Sequence, residues 1–324
     1  MTTHAIDYAA LMDLTVDYAF KLLYGTGKKK STQRLISLLN AVFANKGIPR
    51  VISGLTVVNP AMEKGDAKDK LSILDIHAVL DDGSQICIEM HLYGIDEFKL
   101  KSIRNWARTY SDELESGDKF TNLKPVICIS FTDDAIRDIA GNPLKKTHSL
   151  FYITERDDGC ILTGDLEFHY IGLKEFVLEL MANNGIAPNK LARWLALITN
   201  KRIADKSIIE RICGEDSEIM GAVRELDKNT KDKFKRLAYQ RRQDELRSYN
   251  GLMDQLAEKD TALAEKDATI TEKDTTIAEQ GFALSEKDAA LAKKDAMIAE
   301  QDTALSEKDA TIAMLRAQLE AAIK

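Results

Sequence analysis

The sequence predicts a mixed α/β domain, a sheet flanked by helices, followed by one long helix. Three observations carry this. Two apolar-striped segments lead into several strand-like stretches between residues 51 and 172, with one helical stretch among them. Helical patterning resumes from about residue 173. From Leu256 onward, Leu or Ile recurs every seven residues as far as Leu319. Strands interleaved with helices and then a helical run imply an α/β or α+β sheet.

Taken in order, Thr15 is placed to cap a helix from Val16 to Tyr24, with Val16, Phe20 and Leu23 on one face. Ser31 is placed to cap a second, striped by Leu35, Leu38, Leu39, Val42 and Phe43 and stopped by Gly47. Residues 51–58 read as a strand, and the polar stretch from Ala61 to Lys70 as a loop. Residues 71–93 read as a β-hairpin. Residues 97–116 read as a helix with Phe98, Trp106, Tyr110 and Leu114 on one face and Gly117 as its stop. Residues 124–131 are a continuous apolar run, the mark of a strand buried on both faces. Residues 148–154 and 166–172 read as further strands. We divide the chain into a domain over 1–200, a helical extension over 201–250 and a heptad tail over 251–324.

The tail is rich in Ala, Glu and Lys and free of Pro, so it favours helix. A seven-residue apolar period gives a left-handed supercoiling seam. The other core position of each heptad is mostly Asp or Lys, so the seam is weak. The expectation is a coiled coil that joins copies of the chain and is marginal on its own.

Composition narrows the function. With 44% hydrophobic residues the chain can build a core. No stretch approaches the roughly 18 apolar residues of a membrane span, and the N-terminus lacks the pattern of a secretory signal. Cys87, Cys128, Cys160 and Cys213 are widely spaced, without a C-x-x-C pair, which argues against disulfides and a cysteine zinc knuckle. The expectation is a cytoplasmic protein with reduced thiols. The net charge is −7, and residues 251–324, with 16 acidic and nine basic side chains, account for all of it. The neutral body carries basic clusters at Lys28–Lys30, Lys64/Lys68/Lys70, Lys145-Lys146, Lys201-Arg202 and from Lys231 to Arg242. Such clusters are solvated faces or local surfaces for a phosphate backbone. Phosphate-loop, dinucleotide-fold and nucleophile-elbow motifs are absent, which disfavours ATP, NAD and esterase chemistry.

The hairpin carries the chemistry. Asp81-Asp82-Gly83 suits a three-residue turn with Gly in the left-handed position. Leu80 then pairs with Ser84, Asp75 stands opposite Glu89, His77 opposite Cys87, and Ile73 opposite His91. Opposed side chains on one face lie about 4.5–5.5 Å apart at Cβ, close enough for two carboxylates to share a divalent cation. The other face, with Leu74, Ile76, Ala78, Ile86, Ile88 and Met90, is apolar. Two other readings stay open: an acidic solvent face, and a zinc site of His77, Cys87, Glu89 and His91. Tyr93 and Trp106 are candidates for base stacking or for packing, and Arg241-Arg242 for phosphate contact or a solvated helix face. His148 and His169 read as structural.

A strand Asp, a turn and a strand Glu-x-(Lys/Gln) resemble the PD-(D/E)XK nuclease core. Asp17-Tyr18-Ala19-Phe20-Lys21 resembles the D-x-x-F-K motif of the Rpn group, the recombination-promoting nuclease and transposase-like branch. Leu38–Val42 resembles its L-N-A helix, and Ile73–Ile76 and Ile88–His91 its (I/L)LD and IEMQ strands. Tyr110 through Ile129 resembles its helix–G-x-x-Y–L-x-P-V-I segment. The resemblance spans about residues 11–245.

It implies a restriction-endonuclease-like sheet and magnesium-dependent cleavage of DNA. Asp75 and Glu89 would be the metal ligands, with the Met90 carbonyl completing the site. Asp17 would be a third acid, with Lys21 one helical turn on. His91 stands where the group has Gln and the wider superfamily Lys, which lets manganese replace magnesium. Lys101 aligns with an expected Arg and offers charge without the bidentate fork. The function expected is a metal-dependent DNA endonuclease, homo-oligomeric through its tail, with no membrane and no nucleotide cofactor. The alternative is a nuclease-fold DNA- or protein-binding module with a weakened site, assembling through the same tail.

Overall fold

Three unbroken apolar runs set the architecture. In a computed structural model, which describes residues 5–58, 76–92, 95–115 and 117–323, strands β3 (Gln85–His91), β4 (Val126–Thr132) and β6 (Leu166–Gly172) lie parallel and adjacent. Antiparallel partners flank them: β2 (Ile76–Leu80) and β1 (Leu55–Val57) on one side, β5 (His148–Phe151) on the other. The sheet order is β1-β2-β3-β4-β6-β5. Every residue of β4 and β6 is buried, as parallel strands covered on both faces require.

One face is covered by α1 (Asp17–Tyr24), α2 (Lys29–Asn45), α4 (Leu173–Ala182), α5 (Lys190–Ile198), α6 (Lys206–Gly214) and α7 (Ser217–Lys231). Ile86 and Ile88 of β3, Ile127, Ile129 and Phe131 of β4 and Ile171 of β6 meet these helices in the main core. Phe20 packs on Phe131 with ring centroids 5.7 Å apart, and Tyr24 meets Trp194 edge-on at 5.8 Å. The other face is covered by α3 (Ile95–Ser111), which closes a smaller core of Cys87, Phe98, Val126, Cys128, Phe168 and Tyr170. The last helix, α8, runs from Lys233 to Ile323. By contacts the chain forms two units, Met1–Asn250 and Gly251–Lys324.

The mixed α/β sheet with flanking helices and the long C-terminal helix match the sequence-based fold class. Local readings are corrected. Helix α1 starts at Asp17 with Val16 as an N-cap that supplies no side-chain bond, because the Thr15 hydroxyl is spent on Asp13, 2.7 Å away. Helix α2 starts at Lys29, so Ser31 lies inside it, and its Oγ instead accepts from the Thr26 N–H. The strand expected over 51–58 shrinks to Leu55–Val57, and the helix expected over 97–116 ends at Ser111, leaving Leu114 outside it. The loop from Ala61 to Lys70 lies outside the described residues. All four cysteines are unpaired, and among the described residues no helix is long and apolar enough to cross a membrane.

Beneath α2 the main-core face holds a directed chain of polar groups. Asn45 Nδ2 donates to His148 Nδ1 at 3.0 Å, which fixes the proton of His148 on Nε2. His148 Nε2 then donates to His169 Nδ1 at 3.0 Å, and His169 Nε2 to Glu167 at 3.3 Å. Arg50 clamps Glu167 with two bonds of 2.9 Å. The chain works only with both histidines neutral, and burial drives the pKa of His148 down to about 3 and that of His169 below its usual value. The unfolded chain therefore takes up these protons first, near the ordinary histidine pKa of about 6.5. Stability is expected to fall as pH drops from 6.5 toward 4.5, by at most about 1.4 kcal/mol per pH unit for each histidine. Urea unfolding across that range checks this, and a His148→Asn variant with an undiminished slope would reject it.

Candidate active site

The turn behaves as its residues dictate. Gly83 has φ 87°, its N–H reaches the Leu80 carbonyl at 3.0 Å, and the Asp82 carboxylate accepts from Ser84 N–H at 2.9 Å. The register follows: Ile76 pairs with Ile88, His77 with Cys87 and Ala78 with Ile86. These are the pairs the three-residue turn predicts. Asp75 and Tyr93 lie outside the described residues.

The face that reads as polar in the sequence is not a solvent face. Helix α3 lies over it, and Glu89 is only 8% exposed. An acidic solvent face is thereby excluded. Parallel pairing sets Glu89 beside Ser130 and His91 beside Thr132. From above, α3 lowers Phe98 and Lys101 onto the same row. The His91 ring stacks on Phe98, with centroids 3.9 Å apart and planes 10° from parallel. The Lys101 ammonium donates to Glu89 Oε1 and lies 5.8 Å from the Phe98 ring centre. Lys101 keeps 43% of its side chain exposed, against 10% for Glu89. A buried carboxylate needs such a partner, since unpaired burial would cost several kcal/mol.

Thr132 is 1% exposed, and among the described residues its hydroxyl has no hydrogen-bond partner. Buried hydroxyls are nearly always satisfied, and this one shares the α3 face of the sheet with His91. On the adjacent strand β6, Tyr170 shares a hydrogen bond of 2.6 Å with Ser102 of α3, and burial pushes the tyrosine pKa up to about 12. Cys87 and Cys128 face each other across β3 and β4. The hydrogen bond to Cys87, and then burial, hold the Cys128 thiol well above its ordinary pKa.

Asp17 and Lys21 lie on α1, whose C-terminal Gly25 abuts the Ile76 side chain at the start of β2. The Asp17 carboxylate is clamped by Arg242 of α8, whose Nε contacts both oxygens at 2.9 and 3.0 Å and whose Nη2 adds 2.9 Å. Lys21 lies one turn along α1. Arg242, one of two arginines read as a phosphate contact or a solvated face, is therefore an internal partner. Trp106 packs against Tyr110 at 5.0 Å, and its Nε1 donates to the Asp165 carbonyl at 3.4 Å. His77 bonds to Gln85 at 2.5 Å. Among the described residues no three His, Cys, Asp or Glu side chains converge to hold a metal, so the zinc reading of His77, Cys87, Glu89 and His91 is not assembled. Sequence reasoning missed Ser130 and Thr132. A Ser and a Thr inside an apolar strand, at the alternation shared by Cys128, were the available signal.

The donors present suit a hard divalent cation. Glu89 and the Thr132 hydroxyl are oxygens of successive rows on the α3 face near the strand ends, and the Met90 main chain lies between those rows on β3. The profile of the PD-(D/E)XK nuclease family transposases matches residues 14–255. No curated protein and no solved structure matches the chain.

Replacing Thr132 by Val removes the unsatisfied hydroxyl while keeping the shape of the side chain. Thr132→Val is expected to raise stability by about 1 kcal/mol, read as a higher urea midpoint at constant m-value. A lower midpoint would show that the hydroxyl is already satisfied.

Proposed function

Because the chain belongs to the PD-(D/E)XK nuclease family transposases, we propose that it hydrolyses phosphodiester bonds of DNA with a divalent metal, magnesium or in its place manganese. The carrying observation is Glu89, a buried carboxylate held by one solvent-reaching lysine. Asp75 enters from the sequence, where the three-residue turn pairs it with Glu89. In this reading Asp75, Glu89 and the Met90 carbonyl hold the ion, which when bound polarises the scissile phosphate and lowers the pKa of a water.

The chain's own groups do the rest. Lys101 leaves Glu89 and turns its ammonium to a phosphate oxygen, a move its exposed stem permits. His91, held flat on Phe98, takes a proton from the attacking water. Asp17, by gripping Arg242, fixes the start of α8 to α1, and Lys21 on the same helix offers a further positive charge.

Nicking of supercoiled plasmid with magnesium or manganese tests this. Glu89→Gln is expected to cut more than about 100-fold more slowly, beyond what losing a supporting residue costs. Full cutting by Glu89→Gln sinks the assignment. The Lys101–Glu89 pair favours one other reading, a binding module whose carboxylate is permanently neutralised. A chain that binds DNA but takes up neither metal at millimolar concentration supports that reading instead.

We assign the tail to self-association. Leu256, Leu263, Ile270, Ile277 and their successors every seventh residue are 47–65% exposed, an apolar line that a second copy covers. Sedimentation of the full chain should show an oligomer that dissociates on dilution, and Ile270→Asp with Ile298→Asp should shift it to monomer. A wild-type monomer at about 100 μM, corresponding to less than about 5.5 kcal/mol of association free energy, rejects the assignment.

A further inference from the structure

A cleft of about 480 Å³ opens between the end of α2, the start of β5 and the α4–α5 connection. It lies on the main-core side of the sheet: His148, in its wall, pairs with Ile171 of that core. Its floor is apolar, built by Phe176, Leu180, Leu191 and Leu195. Its rim is cationic, with Lys46, Lys145 and Lys146 against one acid, Glu179. Glu179 is engaged by the Thr147 hydroxyl at 2.5 Å. Among the described residues no ion pair holds Lys145 or Lys146, and both are exposed. Lys46 is tethered, its Nζ giving a 2.5 Å bond to the His148 carbonyl. Burial, and then the charge of Lys146, keep its pKa below the usual lysine value. Three positive charges gathered at one mouth against a single acid favour an anion.

We propose that this cleft binds a nucleotide through its phosphate, with the phosphoryl group among Lys46, Lys145 and Lys146 and the sugar and base over the apolar floor. Lysine recognises phosphate as a point charge, so three of them suit a terminal phosphoryl group better than a planar carboxylate. The volume falls within the range of small-molecule sites, about 300–1,000 Å³. A bare inorganic anion would leave the floor wet. A hydrocarbon tail would cover the amides of Asn45, Asn183 and Asn189 that ring the cleft.

The phosphate has two sources, a free mononucleotide or the 5′-phosphorylated end of a DNA strand. The second rests on the nuclease reading. Strand β5 stands three places from β3, about 14 Å at the usual strand spacing. His148 and His91 lie toward the same end of the sheet, since β5 begins beside the end of β6 and β3 ends beside the end of β4.

The full chain in EDTA, where no metal-dependent cutting occurs, gives the test. Fluorescence anisotropy compares a 3′-labelled single strand bearing a 5′-phosphate with the same strand bearing a 5′-hydroxyl. Deoxyadenosine monophosphate and inorganic phosphate serve as competitors. The phosphorylated strand should bind about tenfold tighter, roughly one charge-assisted contact, and the mononucleotide should displace it. The Lys145→Ala/Lys146→Ala double variant, folded by circular dichroism, should lose that preference. Saturable mononucleotide binding, followed by calorimetry and lost in the double variant, without a strand-end preference assigns the cleft to free nucleotide. The proposal is overturned if the double variant binds like wild type, if neither ligand form binds, or if inorganic phosphate competes as well as the nucleotide. Because no metal is present, each result stands whatever Glu89→Gln does to cutting.

Discussion

Burial of both faces of β3, β4 and β6 is the constraint on which the rest depends. Parallel strands cannot leave one face to water in this arrangement, so α3 must cover the face that carries Glu89 and His91. That cover turns an ordinary polar row into a desolvated one. Glu89 must then find a cation, the Thr132 hydroxyl has no partner among the described residues, and His91 can be positioned by a ring rather than by solvent. The strand ends at which this happens are where open α/β sheets expose their sites.

Much of this was legible because it is local. The hairpin register follows from a turn of three residues, and the two faces from strand alternation. The buried parallel strand over 126–132 was visible as an apolar run. The apolar stripe of α2 was equally plain, although its cap was not: the Ser31 hydroxyl serves Thr26. What stayed hidden joins distant segments. The Asp17–Arg242 clamp spans 225 residues. The chain from Asn45 to Arg50 by way of His148, His169 and Glu167 draws on a helix, a loop and two strands. The cover over Glu89 was hidden for another reason. The apolar face of α3 was plain, but Ser102 and Thr109 beside Phe98 and Trp106 gave no sign of which strand residues it covers.

The two buried glutamates show how one sheet separates support from chemistry. Glu167 and Glu89 lie on opposite faces, each nearly sealed from water. Glu167 is gripped by both arms of Arg50 and by His169. Both of its oxygens are engaged, and displacing Arg50 would strand a buried charge at a cost of about 3–5 kcal/mol. Glu89 has a single lysine, a point charge on a flexible stem with 43% of its side chain in solvent. A lysine of that kind can exchange its carboxylate for water or phosphate, because its ammonium need not be desolvated to leave. The same residue type in the same kind of strand is thus a fixed strut on one face and, in the function proposed, a ligand on the other. The identity and exposure of the cation decide which.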